Sequence, residues 1–171
     1  ELLEQFFQKR NYSPKTITLS GNTDCYQPAE RTFEITRKLL QLCLEYRHPV
    51  SILTKNALVV RDLDILKPMA EQNLVSVSLS IPTMHEEIRR KMEPRTSSTN
   101  NKLKAIEVLS ENGIPTGVMV SPVIPGLTSD ESLNILKTIS EKGAQNFGYS
   151  LVRLNDTVEP VFVKWIHANF P

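Results

Sequence analysis

The sequence predicts an α/β domain with a parallel sheet, forming part of a (β/α) barrel, and three observations lead there. Five short β-branched or alternating runs recur along the chain. Apolar residues at helical spacing fill the stretches between them. No GxGxxG turn follows the first run, although a dinucleotide-binding doubly wound sheet needs one. Strand alternating with helix requires right-handed crossovers and parallel strands. An open doubly wound sheet and a barrel segment both satisfy that pattern, and the absent glycine turn favours the barrel.

The elements follow in order. An apolar run before Pro14 reads as the end of a helix. Residues 16–20 alternate as Thr16, Ile17, Thr18, Leu19 and read as the first strand. Residues 28–47 read as one helix, with Pro28 in its first turn and Phe33, Thr36, Leu39, Leu40, Cys43 and Tyr46 on one face. Residues 50–54 form the second strand, and residues 61–72 carry Leu63, Leu66, Met69 and Ala70 at helical spacing. The third strand is 74–80. The helix at 100–112 turns Leu103, Ile106 and Leu109 inward and stops at Gly113. The fourth strand is 116–121, and the helix at 129–142 repeats the design with Leu133, Leu136 and Ile139 before Gly143. Residues 147–153 form the fifth strand and 158–169 the last helix.

Composition narrows the class. With 40% hydrophobic and 23% charged residues, the 171-residue chain is expected to fold as a single domain, residues 1–171. A net charge of +1 gives no bulk field favouring nucleic acid. The two cysteines, Cys25 and Cys43, fit neither a metal spacing nor a disulfide scaffold, so a reducing cytoplasm is expected. No apolar run approaches the ~18 residues needed to span a bilayer. The chain begins at Glu1 rather than Met and is expected to be an excerpt of a longer polypeptide.

Ligands of α/β sheets and barrels sit beyond the carboxyl ends of the strands. Here those ends read Ser20-Gly21-Asn22-Thr23-Asp24, then Thr54-Lys55-Asn56, then Val77-Ser78-Leu79-Ser80. The fourth reads Ser121-Pro122-Val123-Ile124-Pro125-Gly126-Leu127, and the fifth ends near Arg153 and Asn155. Loops are polar for general reasons, but a lysine directly at a strand end asks for a ligand.

The segments SGNTDCYQPAE, HPVSILTKNALVVRDLDIL, VSLSIPTMHEEIRRKMEPRTSS and SPVIPGLTSDE carry a family resemblance over nearly the whole chain. It resembles the central and C-terminal part of a radical S-adenosylmethionine (SAM) enzyme, a partial (β/α)6 TIM-like barrel. Within that superfamily it is most similar to the spore photoproduct lyase, or DNA-repair-photolyase-like, branch. The resemblance implies that Gly21, Asn22, Thr23 and Asp24 hold the SAM amino group and that Lys55 meets its carboxylate. It implies ribose contacts from Ser78 and Ser80, whose hydroxyls share one strand face. It sets Ile124 against the purine and Gly126 where the backbone approaches it, with Pro122 replacing the first glycine of the family's GxIxGxxE pattern. Glu93 and Arg95 resemble a further ion pair beside the SAM carboxylate.

The resemblance also implies a [4Fe–4S] cluster held by a CxxxCxxC motif on a first strand that this chain lacks. Cys43 lies on an apolar helix face and reads as core. Gly21 stands where the branch has its hydrogen-donor cysteine, so Cys25, just after Asp24, is either a surrogate donor or a lining residue without redox role. The chain alone is expected to bind no cluster and to be inactive. An exposed strand edge beside residues 16–20, with some tendency to associate there, follows from the missing first strand.

The three histidines are scattered and suggest no metal site, and His48 before Pro49 reads as a turn residue. Arg89, Arg90, Lys91 and Arg95 form the one basic cluster, a solvated helix face or a contact for a phosphate backbone. By resemblance, the full-length protein is an enzyme that cleaves SAM reductively to methionine and a 5′-deoxyadenosyl radical. That radical abstracts hydrogen from a substrate the sequence does not specify, related to nucleic-acid lesion repair, with an electron donor such as flavodoxin or ferredoxin. Two other readings stay open: a non-catalytic binding module with a degenerate SAM pocket, and a barrel enzyme holding a phosphate near Gly126.

Overall fold

A computed structural model describes residues 2–171. Its strands are β1 (Ile17–Leu19), β2 (Val50–Thr54), β3 (Val75–Ser80), β4 (Thr116–Val123) and β5 (Asn146–Leu151). Its helices are α1 (Leu2–Phe7), α2 (Glu30–Phe33), α3 (Ile35–Glu45), α4 (Leu63–Glu71), α5 (Glu86–Met92), α6 (Thr99–Glu111), α7 (Ser132–Glu141) and α8 (Glu159–Asn169). All the strands are parallel and lie in one sheet in the order β1-β2-β3-β4-β5. A doubly wound sheet reverses its strand order at a switch point. This one never reverses, so it is the wall of a partial barrel, as expected.

The two faces of the sheet differ because side chains alternate along each strand. Val50, Ile52, Val75, Val77, Leu79, Val118 and Val120 are buried against Leu40, Cys43, Leu66, Met69, Ile106, Leu109, Ile135 and Ile139 of the helices. The opposite face carries Ser51, Ser76, Ser78, Ser80, Ser121 and Ser150, with Ser76 bonding Ser51 at 3.3 Å and Ser121 bonding Ser150 at 2.6 Å. Gly117 belongs to it, since a Cβ there would stand 3.0 Å from Ser78 Oγ. Small side chains therefore leave the barrel interior open where a closed barrel would pack branched residues.

Several expectations need correction. The helix anticipated over 28–47 is two helices, broken at Glu34 in a left-handed conformation (φ 50°). The Glu30 carboxylate accepts from the amides of Thr36 (3.0 Å) and Arg37 (3.2 Å) and so caps α3 from within the sequence. Phe33, expected inward, is consequently exposed. Leu133 is exposed as well. A 3-10 turn over Ser129–Glu131 precedes α7, whose inward residues are Ile135 and Ile139. The bounds of helix α5 were not anticipated, because Glu86, Glu87, Arg89, Arg90 and Lys91 leave too little apolar periodicity to mark them, although its basic residues were read as one face of a helix. Acids in its first turn and bases in its last complement the helix dipole instead. His48 lies in the connection between α3 and β2. Its ring is buried and stacked 4.4 Å from Phe7, with Nδ1 donating to the Pro49 carbonyl (3.0 Å) and Nε2 accepting from the Tyr12 hydroxyl.

Cys43 is core, as expected, and burial pushes its thiol up to about 11. Strand β1 pairs with β2 alone and forms one edge of the sheet. Leu66→Ala, at 0% exposure, should cost about 2–5 kcal/mol in denaturant unfolding, while Leu133→Ala should stay within about 0.5 kcal/mol.

Candidate active site

Strand β1 ends in a sharp reversal. Ser20 and Gly21 both have positive φ, 83° and 118°, and a glycine meets the second demand without strain. The Ser20 hydroxyl accepts from the Cys25 amide (3.0 Å) and closes the loop on itself. Asp24 then joins the loop to the next strand. Its Oδ1 accepts from the Tyr26 amide (2.8 Å) and the Thr54 hydroxyl (2.7 Å), and its Oδ2 from the Lys55 amide (2.7 Å). These bonds occupy the carboxylate that was expected to meet a ligand ammonium. Gly21, Asn22 and Thr23 are left exposed at the rim.

The result is a cleft of about 410 Å³ at the carboxyl ends of the strands. It is lined by Ser20 to Asp24 from the first loop, Leu53 to Lys55 from β2, Ser80 from β3, and Met119, Ser121 and Pro122 from β4. Gly21, Lys55 and Ser80 thus line one cleft, to which β5 contributes nothing. The Lys55 ammonium bonds Glu93 Oε1. The other Glu93 oxygen lies 3.4 Å from the ammonium of Lys102, which also donates to the Ser80 carbonyl at 2.9 Å. Lys102, on α6, is fully buried, and desolvation lowers its pKa below the ordinary value while Glu93 pulls the other way. Sequence reasoning missed it, since one lysine in a polar helical stretch carries no signal of burial.

Other expected residues fall outside the cleft. Ser78 lies one pleat below Ser80 and does not line it. Arg95 is exposed in a separate depression with Arg31 and Asn101 and makes no ion pair with Glu93, whose partners are Lys55 and Lys102. Ile124 lines an apolar groove of about 340 Å³ with Val152, Phe162 and Trp165, and Pro122 borders both hollows. Gly126 lines neither, and its amide donates to Ser129 Oγ at 3.2 Å. Cys25 faces a further depression beside Glu30 and Phe33, with its thiol pushed up by burial to about 11. The basic cluster is dispersed: Arg89 is buried on Glu86 (2.8 Å), Arg90 pairs with the same acid, and Lys91 bonds the Asn169 carbonyl (2.8 Å).

The sequence matches the Radical SAM superfamily over residues 1–139. This chain belongs to the radical SAM superfamily. An uncharacterized protein of Methanocaldococcus jannaschii is 32% identical over 164 residues, covering 95% of this chain and 60% of the relative. A radical SAM Nα-GlyT isomerase of Pseudomonas phage M6 is 24% identical over 170 residues, 95% of this chain and 35% of that one. The chain therefore spans less than two thirds of the length of these relatives. A spore photoproduct lyase variant, solved with bound AdoMet and dinucleoside spore photoproduct, shares the fold at TM-score 0.70 with 14% identity over 99% of this chain and 50% of that one.

As a radical SAM chain, the molecule fits one implied group and not the other. The cleft offers a cation at Lys55, a hydrogen-bonded carboxylate at Asp24, hydroxyls at Ser80 and Ser121, and apolar Leu53, Met119 and Pro122, a set suited to a zwitterionic nucleoside. Among the described residues no cluster of three or more His, Cys, Asp or Glu could hold a metal, so a [4Fe–4S] cluster does not fit these side chains. Also among them, no helix is long and apolar enough to cross a membrane.

Behind the cleft a buried ionic network fixes the loop of this radical SAM chain. The Tyr26 hydroxyl donates to Asp62 (3.0 Å), which also takes Arg37 (2.9 Å) and Arg61 (2.9 Å), and Arg61 reaches Glu30 (3.1 Å). Burial alone would raise the Glu30 pKa, but the Thr36 amide, the Arg61 guanidinium and the Arg37 amide bring it below its ordinary 4.5. A depressed native pKa stabilises the fold above the unfolded value, and the benefit is lost as pH falls through the native one. Glu30→Gln should therefore lower stability near neutral pH, and its gap to the parent in denaturant melts should close as pH drops below 4.5.

Proposed function

We propose that this chain is the SAM-binding part of a radical SAM enzyme, whose cluster is held by cysteines outside the residues described. The observation that carries this is the convergence of Gly21, Lys55 and Ser80 on one cleft at the carboxyl rim. Bound SAM supplies one-electron, hydrogen-abstracting chemistry, and the protein's share is to hold it and exclude water. Lys55, a compact cation at the strand end, meets the carboxylate. The exposed turn at Gly21, Asn22 and Thr23 faces the amino group. The Ser80 hydroxyl, which donates to the Ser121 carbonyl at 3.2 Å, would accept from a ribose hydroxyl. A ligand running from Lys55 past Pro122 reaches the groove of Ile124, which would receive the purine. Lesion-bearing nucleic acid as substrate is supported by the fold shared with spore photoproduct lyase, solved with a dinucleoside photoproduct.

The test uses full-length protein reconstituted without oxygen. The parent should bind SAM and release 5′-deoxyadenosine under reductant, and Lys55→Met should weaken SAM binding by roughly tenfold or more, the loss of one charge-assisted contact. A parent that binds no SAM, or a Lys55→Met variant that binds it unchanged, would contradict the assignment.

A further inference from the structure

A lysine with no exposed surface is costly, because its ammonium gives up hydration, and an apolar side chain of similar size would avoid the penalty. Among the described residues, Lys102 has no carboxylate of its own in return. It shares Glu93 with Lys55, one lysine on each oxygen. The nearby Glu86 is taken by Arg89 at 2.8 Å and by Arg90 at 3.4 Å and offsets neither lysine, so the group Lys55, Glu93 and Lys102 retains one positive charge. Of the two ammoniums only Lys55, with a side chain 38% exposed, lines the cleft, while Lys102 is at 0%. The surplus charge is therefore displayed where a ligand can reach it. Lys102 also donates to the carbonyl of Ser80, the residue that ends β3 in the same cleft.

We propose that Lys102 is a positioning residue for ligand recognition. By occupying the inner oxygen of Glu93 and holding the Ser80 carbonyl, it keeps Lys55 net cationic toward a ligand carboxylate. Without Lys102, Glu93 neutralises Lys55 completely and the cleft loses its attraction for an anion. This rests on the SAM reading above, in which that anion is the methionine carboxylate. It adds that carboxylate affinity is set by a buried residue no ligand can touch.

The experiment measures equilibrium binding of two ligands to full-length reconstituted protein: SAM, and its decarboxylated analogue, which keeps the sulfonium, amine and adenosine. Lys102→Met should weaken SAM by roughly tenfold, as expected for one unit charge a few ångströms away at intermediate dielectric, and change the analogue by less than about twofold. Removing the acid should reverse the effect. Lys102→Met/Glu93→Gln should return SAM binding to within about threefold of the parent, because Lys55 then stands unopposed. Equal loss of both ligands, or a double variant weaker than Lys102→Met, would mean a purely structural lysine and overturn the inference. Should Lys102→Met fail to fold, Glu93→Gln alone decides: unchanged or tighter SAM binding supports the inference, and a tenfold loss overturns it. A parent that binds no SAM defeats both this inference and the SAM reading, whereas a parent that binds SAM beside an unaffected Lys102→Met defeats this one alone.

Discussion

The Asp24 carboxylate joins the loop leaving β1 to the end of β2, accepting from the amides of Tyr26 and Lys55 and the hydroxyl of Thr54. The rest of the rim depends on that junction. It turns Gly21, Asn22 and Thr23 out over the strand ends, and it fixes the backbone from which the Lys55 side chain departs. Tyr26, next to the junction, is anchored in turn through its hydroxyl on Asp62, with Arg37 and Arg61 completing the charge balance. A loop of small polar residues is thereby tied to the sheet by charge-assisted, partly buried hydrogen bonds.

Across the cleft the same logic runs through a different acid. Glu93 ends α5 and ties it to β2 through Lys55 and to α6 through Lys102. Two acids, Asp24 and Glu93, thus hold the two sides of the Lys55 segment, one at its amide and one at its ammonium. The interior between them is lined mainly by serines, with Leu53 and Met119 beside them, and stays open because most of the side chains that project into it are small. A hydroxyl-bearing floor with Lys55 and Asp24 at its edge suits a ligand with a zwitterionic end and a largely neutral body.

The strands were legible because buried parallel strands are rich in Val, Ile and Leu, and β2 keeps the bounds the sequence suggested. The parallel sheet, and the preference for a barrel over a doubly wound sheet, followed from the alternation of elements and the absent glycine turn. The break at Glu34 was not legible, since it depends on the Glu30 carboxylate turning back onto the amides of Thr36 and Arg37. At the site, Gly21, Lys55 and Ser80 could be read from their places at strand ends. Arg95 could not be placed, because residues after a short helix point wherever that helix ends, and α5 itself left no apolar trace. Lys102 was invisible for the opposite reason: its burial comes from packing of α6 over Ser80 and Glu93, a long-range fact.

The central claim is that SAM docks against the loop held by Asp24 and the end of β2. Amide hydrogen exchange on full-length reconstituted protein, with and without SAM, tests it most directly. SAM should slow exchange at Gly21 to Asp24, at Lys55 and at Ser121, and leave β1's outer edge unchanged. Protection confined to α8 and the groove beneath it, with none at Gly21 to Asp24 or Lys55, would contradict the account.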